Sequence, residues 1–235
     1  MKFKENKSGL FDLKNRLKIQ QERLAKWVGR PTGGMRTPCS VQGLRVIFIH
    51  NPQTGGTSLG QALGVRRLSH AFPDDRLSEK SWVEHYVICA VRNPFDRFVS
   101  SYLATIDPRH PTNGLTKIYG QKIKNLSAFD FLDLLKQAPK FGGVQKNWAC
   151  FKSDEKPNAD LILRFEEIGT WPKLLEDAGL TGPTFTLEHK NKKPYKTRSQ
   201  AELLGMNKDE IHHLKVAIYN HFQVDYEHFS YEKPF

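Results

Sequence analysis

Two short apolar runs, "RVIFIH" (45–50) and "HYVICAV" (85–91), each end in a turn of unusual composition. Their β-branched and aromatic residues show no polar alternation. That suits strands buried on both faces, which lie in parallel sheets covered by helices. After the second run, "NPFDRFVSSYLATI" places Asn93 as N-cap and Pro94 at the first helical position, with Phe95, Phe98, Val99, Tyr102, Leu103 and Ile106 on one face. "SAFDFLDLLKQA" (127–138) reads as a helix capped by Ser127, and "ADLILRF" (159–165) as a third apolar strand. Capping-box patterns run from Ser199 to Glu202 and from Asn207 to Glu210. The sequence therefore predicts an α/β layer fold with a central, mainly parallel sheet and a helical C-terminal part.

Residues 1–43 stand apart from this pattern. Leu10, Leu13, Leu17, Leu24 and Trp27 recur at roughly helical spacing, with Lys14, Arg16, Lys18, Arg23 and Lys26 between them. A basic helix over 8–28 that makes peripheral membrane contact fits this. A helix packed on the body with a solvated basic face fits it too, and base rates favour the second. "GRPTGGMRTPCSVQG" (29–43) reads as a linker, so one domain is expected over 44–235. No apolar run reaches the length of a membrane span and the first twenty residues have no apolar centre, so the expected location is cytoplasmic. The three cysteines are widely spaced, which argues against a disulfide framework and a cysteine zinc site; no metal is expected.

In sheets of this kind, ligands gather at the carboxyl ends of the strands. The turn after the first run, "HNPQTGGTSLG" (50–60), combines two glycines, Gly55 and Gly56, with the hydroxyls of Thr54, Thr57 and Ser58 ahead of a helix. Glycines allow close backbone approach, and backbone N–H groups leading into a helix suit phosphate or sulfate. A turn with glycines for bending alone is the plainer alternative. A Walker A loop is excluded, because Gly56 stands where that pattern puts lysine before the hydroxyl residue. In the second turn, Arg92 follows the strand directly and Ser100 lies on the helix behind it, so both can reach one anion. The plainer readings are a salt bridge from Arg92 to Asp96 and a small-residue helix contact at Ser100.

The net charge of +11 and pI near 9.5 favour anionic partners without choosing among them. Nucleic acid is disfavoured, since the basic residues are dispersed and no nucleic-acid motif is present. A small phosphotransferase is disfavoured by the broken Walker pattern.

As a pair, "FIHNPQTGGTSL" and "VRNPFDRFVSSY" resemble the two nucleotide motifs of sulfotransferases that use 3'-phosphoadenosine 5'-phosphosulfate (PAPS). The likeness is closest to the carbohydrate-type, sulfotransferase family 2-like branch, whose first motif reads HxPKTGGTS. It runs from about residue 44 to the C-terminus. "ILRFEEI" (162–168), with Arg164, resembles that family's strand and turn near the adenine, and "HKNKKPYKT" (189–197), with Lys193 and Tyr195, its late basic loop. The resemblance implies a three-layer P-loop-like fold. It also implies sulfuryl transfer from PAPS to an acceptor hydroxyl or amine, with a carbohydrate acceptor expected and no metal. Gln53, Thr54, Gly55, Gly56, Thr57 and Ser58 would hold the 5'-phosphosulfate, and Arg92 with Ser100 the 3'-phosphate.

In-line transfer needs a base for the acceptor proton. His70 is the first candidate, with His85 and Glu84 as alternatives. Gln53 departs from the family, whose lysine at this place stabilises the departing phosphate. Losing one such preorganised contact costs about 3 kcal/mol, roughly a hundredfold in rate. Three accounts remain open. Another cation, such as Arg66 or Arg67, could substitute; the chain could be a PAPS-, PAP- or polyanion-binding protein without catalysis; or the lysine could have been replaced deliberately. The stretch 107–126, with Arg109, His110, Lys117, Lys122 and Lys124, lacks periodicity and is expected as an acceptor-side lid or a solvated loop.

Overall fold

The computed structural model describes residues 39–41, 44–63, 72–107, 114–137, 143–151, 157–181, 187 and 200–235. The proposed basic helix over 8–28, His70, Arg66, Arg67, Arg109, His110, Lys193, Tyr195 and the cap Ser199 lie outside them.

The sheet has the order β1 (Cys39–Val41), β2 (Leu44–Ile49), β3 (Tyr86–Val91) and β4 (Leu161–Arg164). The last three strands run parallel, with Phe48 opposite Ile88 and Ala90 opposite Leu163, while β1 pairs antiparallel with β2. Cys39–Val41, expected inside the linker, thus already belongs to the sheet. β2 and β3 fall where the apolar runs predict them, because parallel strands covered on both faces need no polar alternation; β4 lies within its predicted run, with only Leu163 buried.

Side-chain alternation along these strands builds two cores. Ile47, Ile49, Val87, Cys89 and Val91 face one cluster; Val46, Phe48, Tyr86, Ile88 and Ala90 face the other. The second cluster is closed by α1 (Gly56–Ala62) through Leu59 and, beyond α2 (Pro73–Arg76), by a later helix bearing Trp171 and Leu175. The first cluster takes Trp82 of α3 (Glu79–Glu84) and the apolar face of α4 (Pro94–Ile106). It also takes residues of α5 (Gly114–Tyr119), α6 (Ala128–Lys136) and α7 (Lys146–Ala149). After β4 come a 3-10 segment (Phe165–Thr170), α8 (Trp171–Asp177), α9 (Gln200–Leu204) and the long α10 (Lys208–His228), which lays Ile211, Leu214, Ile218 and Phe222 on the first cluster. The result is an α/β structure whose sheet, three parallel strands with β1 antiparallel at one edge, packs apolar clusters on both faces.

Local chemistry sets the helix starts. Asn93 accepts from the backbone N–H groups of Phe95 and Asp96, with Pro94 opening α4. Ser127 caps α6, and Asn207 with Glu210 completes a capping box on α10. The stretch 107–126 departs from expectation. Its described part is α5 followed by a 3-10 segment (Gln121–Asn125), with Leu115 and Ile123 buried in the first cluster and Lys124 Nζ donating to the Asp107 carbonyl at 3.3 Å. These elements are too short to show a helical period in sequence. Among the described residues, no helix is long and apolar enough to cross a membrane.

Ile88 sits at the centre of β3 with no exposure. Ile88→Ala is expected to cost about 2–5 kcal/mol, read as a lower denaturant midpoint at unchanged slope.

Candidate functional site

The two turns at the carboxyl ends of β2 and β3 meet. In the first, Gln53 (φ 66°) and Gly55 (φ 77°) both take the left-handed backbone region, which folds the turn back over the strand end. A Cβ on Gly55 would lie 3.0 Å from two ring carbons of Phe165. A Cβ on Gly56 would overlap the ring of His50 and lie 3.0 Å from Phe48. Only glycine therefore lets α1 start against His50. Thr54 is fully buried and donates its hydroxyl to the Asn51 carbonyl at 2.7 Å, so its side chain braces the turn instead of serving a ligand. Ser58 is buried, while Thr57 is half-buried in the first turn of α1.

The second turn closes on Gln53. Arg92 Nη1 donates to the Gln53 carbonyl at 3.3 Å, and the Ser100 hydroxyl donates to Gln53 Oε1 at 3.0 Å. The Arg92 guanidinium stacks 4.5 Å from the Phe165 ring centroid, and its buried Nε has no hydrogen-bond partner. The guanidinium thus bonds to Gln53 and not in a salt bridge to Asp96; neither of its direct contacts carries a formal charge. Burial pushes the Arg92 guanidinium below its usual range, opposed by the more distant carboxylates of Asp96 and Glu166. Gln53, Arg92 and Ser100, expected from sequence to share a site, do converge.

Arg164, at the end of β4, stacks 4.4 Å from the Tyr231 ring and lies 3.8 Å from Glu167, again with an unpartnered Nε. The two residues after it reach the second turn directly. Phe165 carries Arg92, and Glu166 accepts from the Asn93 N–H at 2.7 Å and from the Tyr231 hydroxyl at 3.1 Å.

Beneath the turns lies a buried polar network that the sequence does not announce. Gln145 and Asn51 are fully buried, as is Asp225. Gln145 Oε1 accepts from the Arg92 N–H at 2.9 Å and from Asn51 Nδ2 at 3.0 Å, while Gln145 Nε2 donates to the Arg92 carbonyl at 2.6 Å. Arg97 donates to Asn51 Oδ1 at 3.1 Å and to the Gly143 carbonyl at 2.8 Å. Asp225 accepts from the N–H groups of Gln145 and Lys146 at 2.7 and 2.9 Å. Burial pushes the Asp225 carboxyl up to about 6, against the pull of Arg97 and these amides. The one local signal was Arg97, a cation between Phe95 and Phe98 on the apolar side of α4; Gln145 in "GGVQKNW" gave none.

His85 and Glu84 do not belong to this site. They precede β3, whose six residues span roughly 20 Å, whereas the site is at its far end. His85 Nδ1 donates to the Ser81 carbonyl at 2.6 Å, and its buried Nε2 has no partner. Among the described residues, no group of three or more His, Cys, Asp or Glu side chains could hold a metal. Compared with known proteins, the chain matches no family model, no curated protein and no solved structure.

Two outcomes are expected. Gly56→Ala should destabilise the fold by about 1–3 kcal/mol through overpacking on His50, measured by urea denaturation. Burial holds the His85 imidazole below its ordinary 6.5, so the unfolded chain binds its proton more readily. The stability from keeping His85 neutral is complete above pH 6.5 and is lost as pH falls below it. His85→Gln should flatten that acid slope in thermal melts.

Proposed function

We propose that the chain is a PAPS-dependent sulfotransferase of three-layer, P-loop-like architecture, moving a sulfuryl group to a hydroxyl or amine of a carbohydrate acceptor. The observation that carries this reading is the convergence of Arg92 and Ser100 on the glycine turn at Gln53. A half-buried guanidinium whose Nε is buried without a partner, with only neutral groups in direct contact, is incomplete, and an anionic oxygen would complete it. The motif pair that resembles the sulfotransferases supplies the same residues.

In this reading the acceptor oxygen bonds to sulfur as the bond from sulfur to the 5'-phosphate oxygen breaks. The acceptor proton passes to a base, for which His70 is proposed, and PAP leaves with the bonding electron pair. Arg92 and the turn's N–H groups hold the nucleotide's charge, and positioning supplies most of the rate. The Thr54 hydroxyl is engaged with Asn51, so in this reading the turn meets the nucleotide mainly through backbone N–H groups. Lys193 and Tyr195 are proposed to cover the nucleotide, with Arg164 beside it.

A second reading, a binding protein without turnover, is favoured by Gln53 itself. Its Oε1 is bound by Ser100, so residue 53 offers a ligand only the neutral donor end of its amide.

Thermal shift with PAP, ATP and an oligonucleotide separates the classes. At about 100 times its dissociation constant, PAP should add about 2.7 kcal/mol of stability. Arg92→Ala should weaken PAP about 10- to 100-fold, the range for a hydrogen bond to a charged group. No response to PAP sinks the proposal. Gln53→Lys should raise sulfate transfer from radiolabelled PAPS to a glycan panel roughly a hundredfold. Transfer by neither chain, with PAP still bound, establishes the second reading.

A further inference from the structure

The structure assigns to Gln145 the task of positioning both anion turns at once, so that Arg92 is held ready for its ligand by a residue that does not touch the ligand. This rests on the reading of the site as a nucleotide anion site. Arg92 stands where β3 has ended, so its peptide N–H and C=O have lost their strand neighbour. The carboxamide of Gln145 offers one acceptor and one donor, as a peptide does, and takes both groups at 2.9 and 2.6 Å. The same Oε1 accepts from Asn51 of the first turn at 3.0 Å. A single oxygen therefore sets the spacing between the turn that carries Gln53 and the turn that carries Arg92.

Gln145 cannot yield easily. It is fully buried, its own N–H is bound by Asp225 at 2.7 Å, and Arg97 clamps Asn51 from the other side. Replacing the carboxamide by an apolar group of similar size leaves the Arg92 peptide without partners and frees the turns to drift apart, even where the fold survives. The damage should reach the ligand through Arg92. A side chain that only supported the fold would weaken binding regardless of what residue 92 is.

The experiment is a double-mutant cycle on the full chain. PAP affinity is measured by calorimetry for the parent, Arg92→Ala, Gln145→Leu and the double variant. Residues that act through one network are non-additive. Gln145→Leu is expected to weaken PAP about tenfold in the parent and less than about twofold beside Arg92→Ala. Equal factors in both backgrounds, or no weakening in the parent, overturn the proposal. If Gln145→Leu does not fold, Gln145→Glu replaces it; this variant keeps the shape and the acceptor oxygen but loses the donor to the Arg92 carbonyl. A second measurement needs no ligand: nitrogen-15 relaxation of the Arg92 Nε–H group, with Arg164 Nε–H as reference. The Gln145 variant should loosen Arg92 and leave Arg164 unchanged. Equal loosening of both, or none, also overturns it. A parent chain that ignores PAP but shows the selective loosening removes the functional reading and leaves the positioning role standing.

Discussion

A strand buried on both faces delivers its last peptide into a place where water cannot satisfy it, and the rest of this structure is arranged around that constraint. Each buried N–H or C=O left unpaired costs about 1–3 kcal/mol. Beyond Val91 the pairing of β3 with its neighbours stops, so the peptide at Arg92 needs a substitute partner. The carboxamide of Gln145 provides one, and Glu166 takes the next N–H, at Asn93. With those two peptides fixed, the Asn93 cap and Pro94 give α4 a single starting direction. That direction carries Arg97 down into the interior and Ser100 across to Gln53.

The two arginines on either side of this cap differ in enclosure. Arg97 is buried, donates to Asn51 and to the Gly143 carbonyl, and lies in the field of the Asp225 carboxyl. Arg92 is half-buried, donates to the Gln53 carbonyl, stacks on Phe165, and lies in the field of Asp96 and Glu166. Its buried Nε has no acceptor, and a buried donor left so is costly. That spare donor, and not a difference in nearby charge, sets Arg92 apart from Arg97.

What could be read from sequence divides by range. Asn93 with Pro94, Ser127, and Asn207 with Glu210 were legible because a cap is decided within a few residues. β2 and β3 were legible because burial on both faces leaves an uninterrupted apolar run. Arg92, Ser100 and the glycine turn could be paired because each follows a recognisable strand end. Gln145 could not be found this way, since its meaning comes from partners far along the chain and its neighbours carry no periodicity. The stretch 107–126 failed for a related reason, as one short helix and a 3-10 segment bury Leu115 and Ile123 without completing a pattern. His85 looked like a candidate base because sequence gives its distance from the motifs in residues, while β3 turns that distance into opposite ends of the sheet.

The bonds that tie the site together join residues 39, 53 and 80 positions apart. Closing such loops costs chain entropy before any contact repays it, so these bonds hold only when the distant segments they join are already in place. The meeting of the two turns is thus a property of the fully assembled chain, and partly folded forms lack it. A ligand that recognises only the finished site acts on the native side of the folding barrier. It holds the protein folded by slowing unfolding and does little to hasten folding.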